Sequence, residues 1–275
     1  MKLFIRALGR EAESRAAALS MSRGGETATL YFGGGTPSML SDKHLGRLME
    51  TLDRLVPVDR LDEFSFEANP ATFTEKKVRF WRSLGMTRVS LGVQSLDSGI
   101  LHLLGREHTP AQALHSVEML KNAGMAHINM DLMFAIPGQT LSIWEATLKE
   151  AVSAGTDHIS AYNLTYEEDT EFFRSLLRGE KRQDPDEDAS FFELAEHMLE
   201  AAGMRHYETS NYAREGCLSP HNMAYWKGED YVGIGPGAVS TINGIRYSNT
   251  RDTGAYIRST LENGLPLSEQ EPVTA

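Results

Sequence analysis

The sequence predicts an α/β fold, a parallel (β/α) barrel in whole or in part, and three observations carry the prediction. Strand-like runs recur roughly every 25–40 residues, the span of one β-strand and its crossover helix. Four helix-to-strand junctions repeat one pattern: SLGMTRVSL, NAGMAHINM, SAGTDHISA and AAGMRHYET. No dinucleotide-binding fingerprint follows the first strand, which favours a barrel over an open doubly wound sheet.

The first element is a helix. MKLFIRALGREAE is amphipathic, and Arg6 and Arg10 interrupt the apolar core that a secretion signal needs. Strand candidates follow at Ala28–Gly33, Phe64–Glu67, Val89–Gln94, Ile128–Phe134 and Ile159–Leu164. The helices between them show one apolar face each. Leu45, Leu48, Leu52 and Leu55 form the first stripe, and Val78, Trp81 and Leu84 the second. Thr109 caps a helix whose first residue is Pro110 and whose stripe is Leu114, Val117 and Leu120. Trp144 and Leu148 mark another. In each repeated junction a glycine (Gly85, Gly124, Gly155, Gly203) stands just past the helix, where left-handed backbone costs it little. Strands alternating with helices imply a parallel sheet.

Beyond about Glu168 the pattern loosens. Gly179–Ser190 reads as a charged loop, Leu194 and Met198 as part of a helix, and HYETSNYA as strand. The glycine-, tyrosine- and asparagine-rich segment from Cys217 to Asn249 reads as irregular β structure near the barrel mouth. The chain therefore divides into a barrel core, 1–168, and a C-terminal α+β extension, 169–275, packed on it.

Composition narrows the function. A net charge of -11 offers no electrostatic case for nucleic acid or anionic lipid. No apolar run approaches the roughly 18 residues of a membrane span. The one cysteine, Cys217, leaves no internal disulfide and no cysteine-only metal site. A cytoplasmic protein is the simplest expectation.

Ligands of a parallel barrel bind at the C-terminal ends of its strands. Those ends carry Gly33-Gly34-Gly35-Thr36, Glu67, Gln94, Asp131, and Asn163 with Thr165. A carboxylate in a strand covered on both faces is costly unless paired or hydrogen-bonded. Glu67 and Asp131, at matching ends of different strands, point to one shared polar site. The glycine run in YFGGGTPSML offers bare backbone to a ligand, yet it is neither GxGxxG nor a Walker phosphate loop. Taken singly, each feature has a plainer reading. The glycines suit a tight turn, Glu67 a cap for the helix near Thr74, Asp131 a loop anchor, and Arg106 a solvated side chain. GIGPG, Gly233–Gly237, signals a turn. His102, His108 and His115 lack metal-ligand spacing and read as surface residues.

Together, YFGGGTPS, SLGVQS, LGREHT, NMDLMFAIPGQT, HISAYNLTYE, YETSNYA, HNMAYW and YVGIGPGA resemble, in order, the HemN/HemW family of radical S-adenosylmethionine (radical SAM) proteins. The resemblance implies a partial TIM-like radical SAM barrel lacking its first strand. It also implies S-adenosylmethionine contacts at Gly34, Gly35, Thr36, Glu67, Gln94, Arg106, Asp131, Thr165 and Val239. HNMAYW, His221 to Trp226, resembles the HNxxYW motif of the haem-chaperone branch, HemW. It implies haem binding through His221, with Tyr212, Tyr225 and Trp226 as flat neighbours, and a haem-accepting protein as partner. The alternatives are an oxygen-independent coproporphyrinogen III oxidase of the HemN type and an inactive fragment. The family holds a [4Fe-4S] cluster with CxxxCxxC upstream of GGGTP, and this sequence has no such motif. The expectation is therefore a chain truncated at both ends, without cluster ligands or catalytic residues of its own.

Overall fold

The computed structural model describes residues 1–21, 28–164 and 185–273. Five parallel strands build the centre: β1 (Thr29–Phe32), β2 (Glu63–Ala68), β3 (Arg88–Gln94), β4 (His127–Phe134) and β5 (His158–Asn163). Two short strands, β6 (Arg205–Glu208) and β7 (Asn211–Ala213), extend the sheet antiparallel beyond β5, giving the order β1-β2-β3-β4-β5-β7-β6. The sheet curls into a half-barrel. A second, three-stranded antiparallel sheet comprises β8 (Val239–Ile242), β9 (Ile245–Asn249) and β10 (Leu267–Pro272).

Helices α1 (Lys2–Ser14) and α2 (Ala16–Met21) precede the first strand. Helices α3 (Asp42–Leu55), α4 (Glu75–Ser83), α5 (Ser98–Leu103), α6 (Pro110–Asn122) and α7 (Leu141–Ala154) fill the crossovers. Helices α8 (Pro185–Ala201), α9 (Pro220–Trp226) and α10 (Thr253–Asn263) follow. Their starts obey local chemistry: Ser41, Thr74, Asp97 and Thr140 accept a backbone N–H at the first turn, and Thr109 forms a full capping box with Gln112. The junction glycines Gly85, Gly124, Gly155 and Gly203 all take positive φ, between 67° and 94°.

Alternation along each strand separates two environments. Val89, Leu91 and Val93 of β3, and Ile128, Met130, Leu132 and Phe134 of β4, face the helices and join the core. Trp81 of α4 packs 4.7 Å from Phe66 and 5.2 Å from Phe73, ring centre to ring centre. The intervening residues, Arg88, Ser90, Gly92 and Gln94, then Asn129 and Asp131, face the barrel interior. The interior wall is therefore polar while the outer wall is greasy, so both faces of a buried strand carry a sequence signal.

Helix α1 is amphipathic, as its sequence predicts, and it buries a carboxylate. Glu11 accepts from Arg15 and Asn249 at one oxygen and from the Gly235 N–H and Tyr256 hydroxyl at the other. GIGPG is thus anchored from below by α1.

Three expectations change. Within Gly179–Ser190, residues 179–184 lie outside the described residues. Residues 185–190 open α8, where Asp186, Glu187 and Asp188 suit the positive helix N-terminus. The 168/169 boundary also lies outside the described residues, and the segment beyond it supplies β6 and β7 to the barrel sheet itself. The stretch Cys217–Asn249 is β structure only in its second part, as β8 and β9, and it begins with a helix. Ser219 caps α9, Pro220 takes its first turn, and the helix lies against the beginnings of β1 and β2. No helix among the described residues is long and apolar enough to cross a membrane.

Candidate functional site

A cavity of about 800 Å³ runs through the half-barrel, from the C-terminal strand ends to the strand beginnings. Gly35, Thr36, Glu67, Gln94, Arg106 and Asp131 all line it.

At the rim, Glu67 organises the glycine loop. Its Oε1 accepts from the Tyr31 hydroxyl at 2.5 Å and its Oε2 from the Gly34 N–H at 3.1 Å. A Cβ on Gly33 would stand 2.3 Å from the Tyr31 ring and 2.6 Å from Glu67 Oε1, so the loop fits only as bare backbone. Gly34 and Gly35 turn through positive φ, 75° and 47°, into open space. Asn69 Nδ2 donates to Thr36 Oγ1 at 3.3 Å and steadies the loop's far end. Gln94 also holds positive φ, 69°, where the β3–β4 register slips, and its side chain reaches the cavity at a backbone cost that functional positions typically bear.

Deeper in, Asp131 is partly buried in the cavity wall. Asn129 Nδ2 donates to its Oδ1 at 2.7 Å and Ser90 Oγ to its Oδ2 at 2.9 Å. Burial outweighs these donors and lifts its pKa to about 6, with Glu67 adding to the rise. Arg106 is shifted downward by burial, an effect the Asp131 charge opposes. Burial, then Glu67, raises the Tyr31 phenol, which stays neutral and donates.

The lower wall is one hydrogen-bonded chain with a fixed proton order. The Asn129 amide nitrogen shares its two N–H groups among Asp131, Ser90 and Ser160, and its oxygen, which also accepts from Ser160 Oγ, faces His158 Nδ1 at 2.7 Å. A carbonyl oxygen only accepts, so Nδ1 carries the hydrogen. His158 Nε2 then accepts from Tyr207 Oη, 2.8 Å away, and Tyr207 accepts from the Ser219 N–H. Burial pushes His158 down to about 3, consistent with a neutral ring.

His221 sits apart, at the start of α9. Its Nδ1 is 2.8 Å from Thr29 Oγ1, its ring stacks on Tyr31 at 4.8 Å and 8°, and Tyr225 meets it edge-on at 5.1 Å. Burial lowers its pKa, which favours the neutral imidazole. Tyr31 therefore touches both the Glu67 carboxylate and the His221 ring.

The structure does not bring every expected residue together. Thr165 lies outside the described residues. Val239 belongs to β8 and lines a separate cavity of about 300 Å³ with Gly237, Ser248 and Asn249; antiparallel pairing with Ser248 holds it there. Tyr212 is fully buried in β7 and stacks on His206 at 4.5 Å, so it adds nothing to the His221 surface. His108 is buried rather than superficial, with Nε2 3.1 Å from the Val93 carbonyl. Tyr31, Asn69, Ser90, Asn129 and His158 were missed. Polar residues at every second position of apolar strands (Arg88-Ser90-Gly92-Gln94, then Asn129-Asp131) were the available signal.

Comparison with known proteins follows this geometry. A family model described as the Radical SAM superfamily matches residues 10–151. The chain is 36% identical to a protein named heme chaperone HemW of Bacillus subtilis (strain 168) over 248 residues, 90% of this chain and 65% of that protein. It is 37% identical to the protein of the same name from Lactococcus lactis subsp. lactis over 232 residues, 84% and 61% of the two. The chain thus spans less than two thirds of these relatives. Among solved structures, coproporphyrinogen III oxidase (HemN) from Escherichia coli superposes with a TM-score of 0.81 over 98% of this chain and 64% of that one, at 22% identity. That likeness concerns the fold.

Proposed function

The chain belongs to the radical SAM superfamily, and from that premise we propose that it binds S-adenosylmethionine in the barrel cavity and haem at His221, as a cytoplasmic haem chaperone of the HemW type. One observation supports the first half above all others. Two carboxylates, Arg106 and a run of bare backbone converge on a single cavity. A zwitterionic nucleoside matches that set. Its ribose hydroxyls suit Glu67 and Asp131 as acceptors, its carboxylate suits Arg106, and its amino group suits the backbone of Gly34 to Thr36. In the wider family such a ligand supplies a sulfonium that an iron–sulfur cluster cleaves. The 275 residues contain one cysteine, which does not supply the three thiolates of such a cluster, so no radical step is derived for this chain.

The haem half rests on the HNMAYW motif, on the likeness to proteins named heme chaperone HemW, and on the His221 environment. A neutral imidazole with one nitrogen fixed by Thr29 offers the other to iron. Tyr31 and Tyr225 supply flat contacts, and Trp226 is largely exposed beside them. A haem-accepting protein and a functional division near 168/169 belong to the same proposal.

Two titrations test it. Calorimetry with S-adenosylmethionine should give one site per chain, weakened at least tenfold by Glu67→Gln. Haem titration followed at the Soret band should show a band displaced in His221→Ala, with at least tenfold weaker binding. An unchanged band and affinity would remove His221 from the site. Turnover of coproporphyrinogen III would favour the HemN-type reading instead.

A further inference from the structure

At the opposite end of the barrel, three side chains of different elements converge on one point. His127 opens β4, Asp157 immediately precedes β5, and Cys217 sits in the turn after β7. One ligand atom from each, an imidazole nitrogen, a carboxylate oxygen and Cys217 Sγ, lie within 4.8 Å of one another, and His127 Nδ1 is 2.9 Å from Asp157 Oδ2. We propose that these three residues form a binding site for one borderline divalent transition-metal ion, of which Zn²⁺ is the type.

The donor set is the first argument. Imidazole, carboxylate and thiolate together suit zinc-like ions and not Mg²⁺ or Ca²⁺, which demand oxygen. Three protein ligands with a fourth position for water is a common zinc arrangement. All three side chains are half-buried, so an ion has access.

The second argument is that the cysteine is held where it is. Arg214 N donates to the Asp157 carbonyl at 2.9 Å, and Cys217 N donates to the Arg214 carbonyl at 3.0 Å. Arg88 Nη2 donates to the Cys217 and Leu218 carbonyls, each at 3.0 Å. The turn is thus tied to both β5 and β3. Asp157 is tied as well: its Oδ1 accepts from Ile128 N, leaving Oδ2 for the His127 Nδ1 contact at 2.9 Å. Arg88 is the opposing charge, and Glu63 at 2.5 Å already offsets it.

Proton balance follows. Burial and Asp157 hold the Cys217 thiol above its usual range, so it is protonated before the metal arrives. Metal binding breaks the S–H bond and releases that proton to solvent. His127 ligates through Nδ1 in the tautomer that carries its ring hydrogen on Nε2. One proton therefore leaves per ion bound near neutral pH.

Cobalt is the probe. The chain has no thiol besides Cys217, so any thiolate-to-Co²⁺ charge-transfer band belongs to it. Titration of the full chain with Co²⁺ should give one ion per chain, that band, the visible bands of a four-coordinate ion, and about one proton released. Cys217→Ser should abolish the charge-transfer band. Asp157→Asn and His127→Gln should each weaken binding at least tenfold while circular dichroism shows the fold intact. Zn²⁺ should displace Co²⁺ stoichiometrically. A band that survives both Asp157→Asn and His127→Gln, two chains per ion, or no binding at micromolar Co²⁺ would each overturn the site.

Discussion

Asp131 and His158 titrate against each other, and the Asp131→Asn variant exposes the balance. Burial keeps the Asp131 carboxyl protonated to about pH 6 instead of 3.8 and keeps His158 neutral down to about pH 3 instead of 6.5. Between pH 4 and 6 the folded chain therefore holds one proton more than the unfolded chain at Asp131 and one fewer at His158. The raised carboxyl makes stability fall as pH rises from 3.8 to 6. The depressed imidazole makes it rise from 3 to 6.5. Each slope is about 1.4 kcal/mol per pH unit, and in the native sequence they cancel. Asparagine keeps the shape and an acceptor for Asn129 but carries no charge. The variant should match the native protein near pH 4 and exceed its stability by about 3 kcal/mol at pH 7, the worth of a shift of about two units. Urea unfolding of both proteins at pH 4, 5, 6 and 7 reads the difference directly, because every other titrating group is common to both. A difference constant to within about 0.5 kcal/mol across that range would refute the reasoning.

Three further outcomes follow from the same coordinates. His158→Gln should remove the acid-side loss and leave the Asp131 slope unopposed, so that stability falls by about 3 kcal/mol between pH 4 and 6 in urea titrations. Glu63→Ala strands the buried Arg88 and should cost about 3–5 kcal/mol by urea unfolding, whereas the double change Glu63→Leu with Arg88→Met should recover most of it. Gly233→Ala puts a Cβ 2.1 Å from the Val239 carbonyl oxygen, backbone that cannot step aside, and should lower stability by about 3 kcal/mol, visible as a depressed melting midpoint.

Much of this was legible in the residues, for identifiable reasons. Helix caps and junction glycines are local: Thr109-Pro110 and Gly155 act through their own neighbours, so the barrel rhythm could be read directly. Glu67 and Asp131 stood out because a carboxylate inside an apolar run is costly without a purpose. Val239, Tyr212 and His108 were misplaced because their positions depend on partners far along the chain. Val239 is set by Ser248, Tyr212 by His206, and His108 by the Val93 carbonyl. Helix α9 is a different miss. Ser219 followed by Pro220 is a local start signal, overlooked because glycine and tyrosine dominate the surrounding stretch. The burial of Glu11 was not legible locally, since three of its four partners, Gly235, Asn249 and Tyr256, lie more than 200 residues away.

The segment from Arg214 to Trp226 carries the chain from β7 back to the beginnings of β1, β2 and β3. Arg88 reaches it across 129 residues, Glu63 across 156 and Thr29 across 192. Closing loops of that size costs entropy before any contact repays it, so this strap is a late event in folding. On a ribosome adding about 5–20 residues per second, His221 emerges on the order of ten seconds or less after β5 is complete. For that interval the polar inner wall is built, but the beginnings of β1, β2 and β3 lack their ties to the strap. Ser219 and Asn222 line the cavity, so its wall is complete only when the strap arrives. Cleavage within residues 214–219 should therefore return a folded molecule to that unfastened stage.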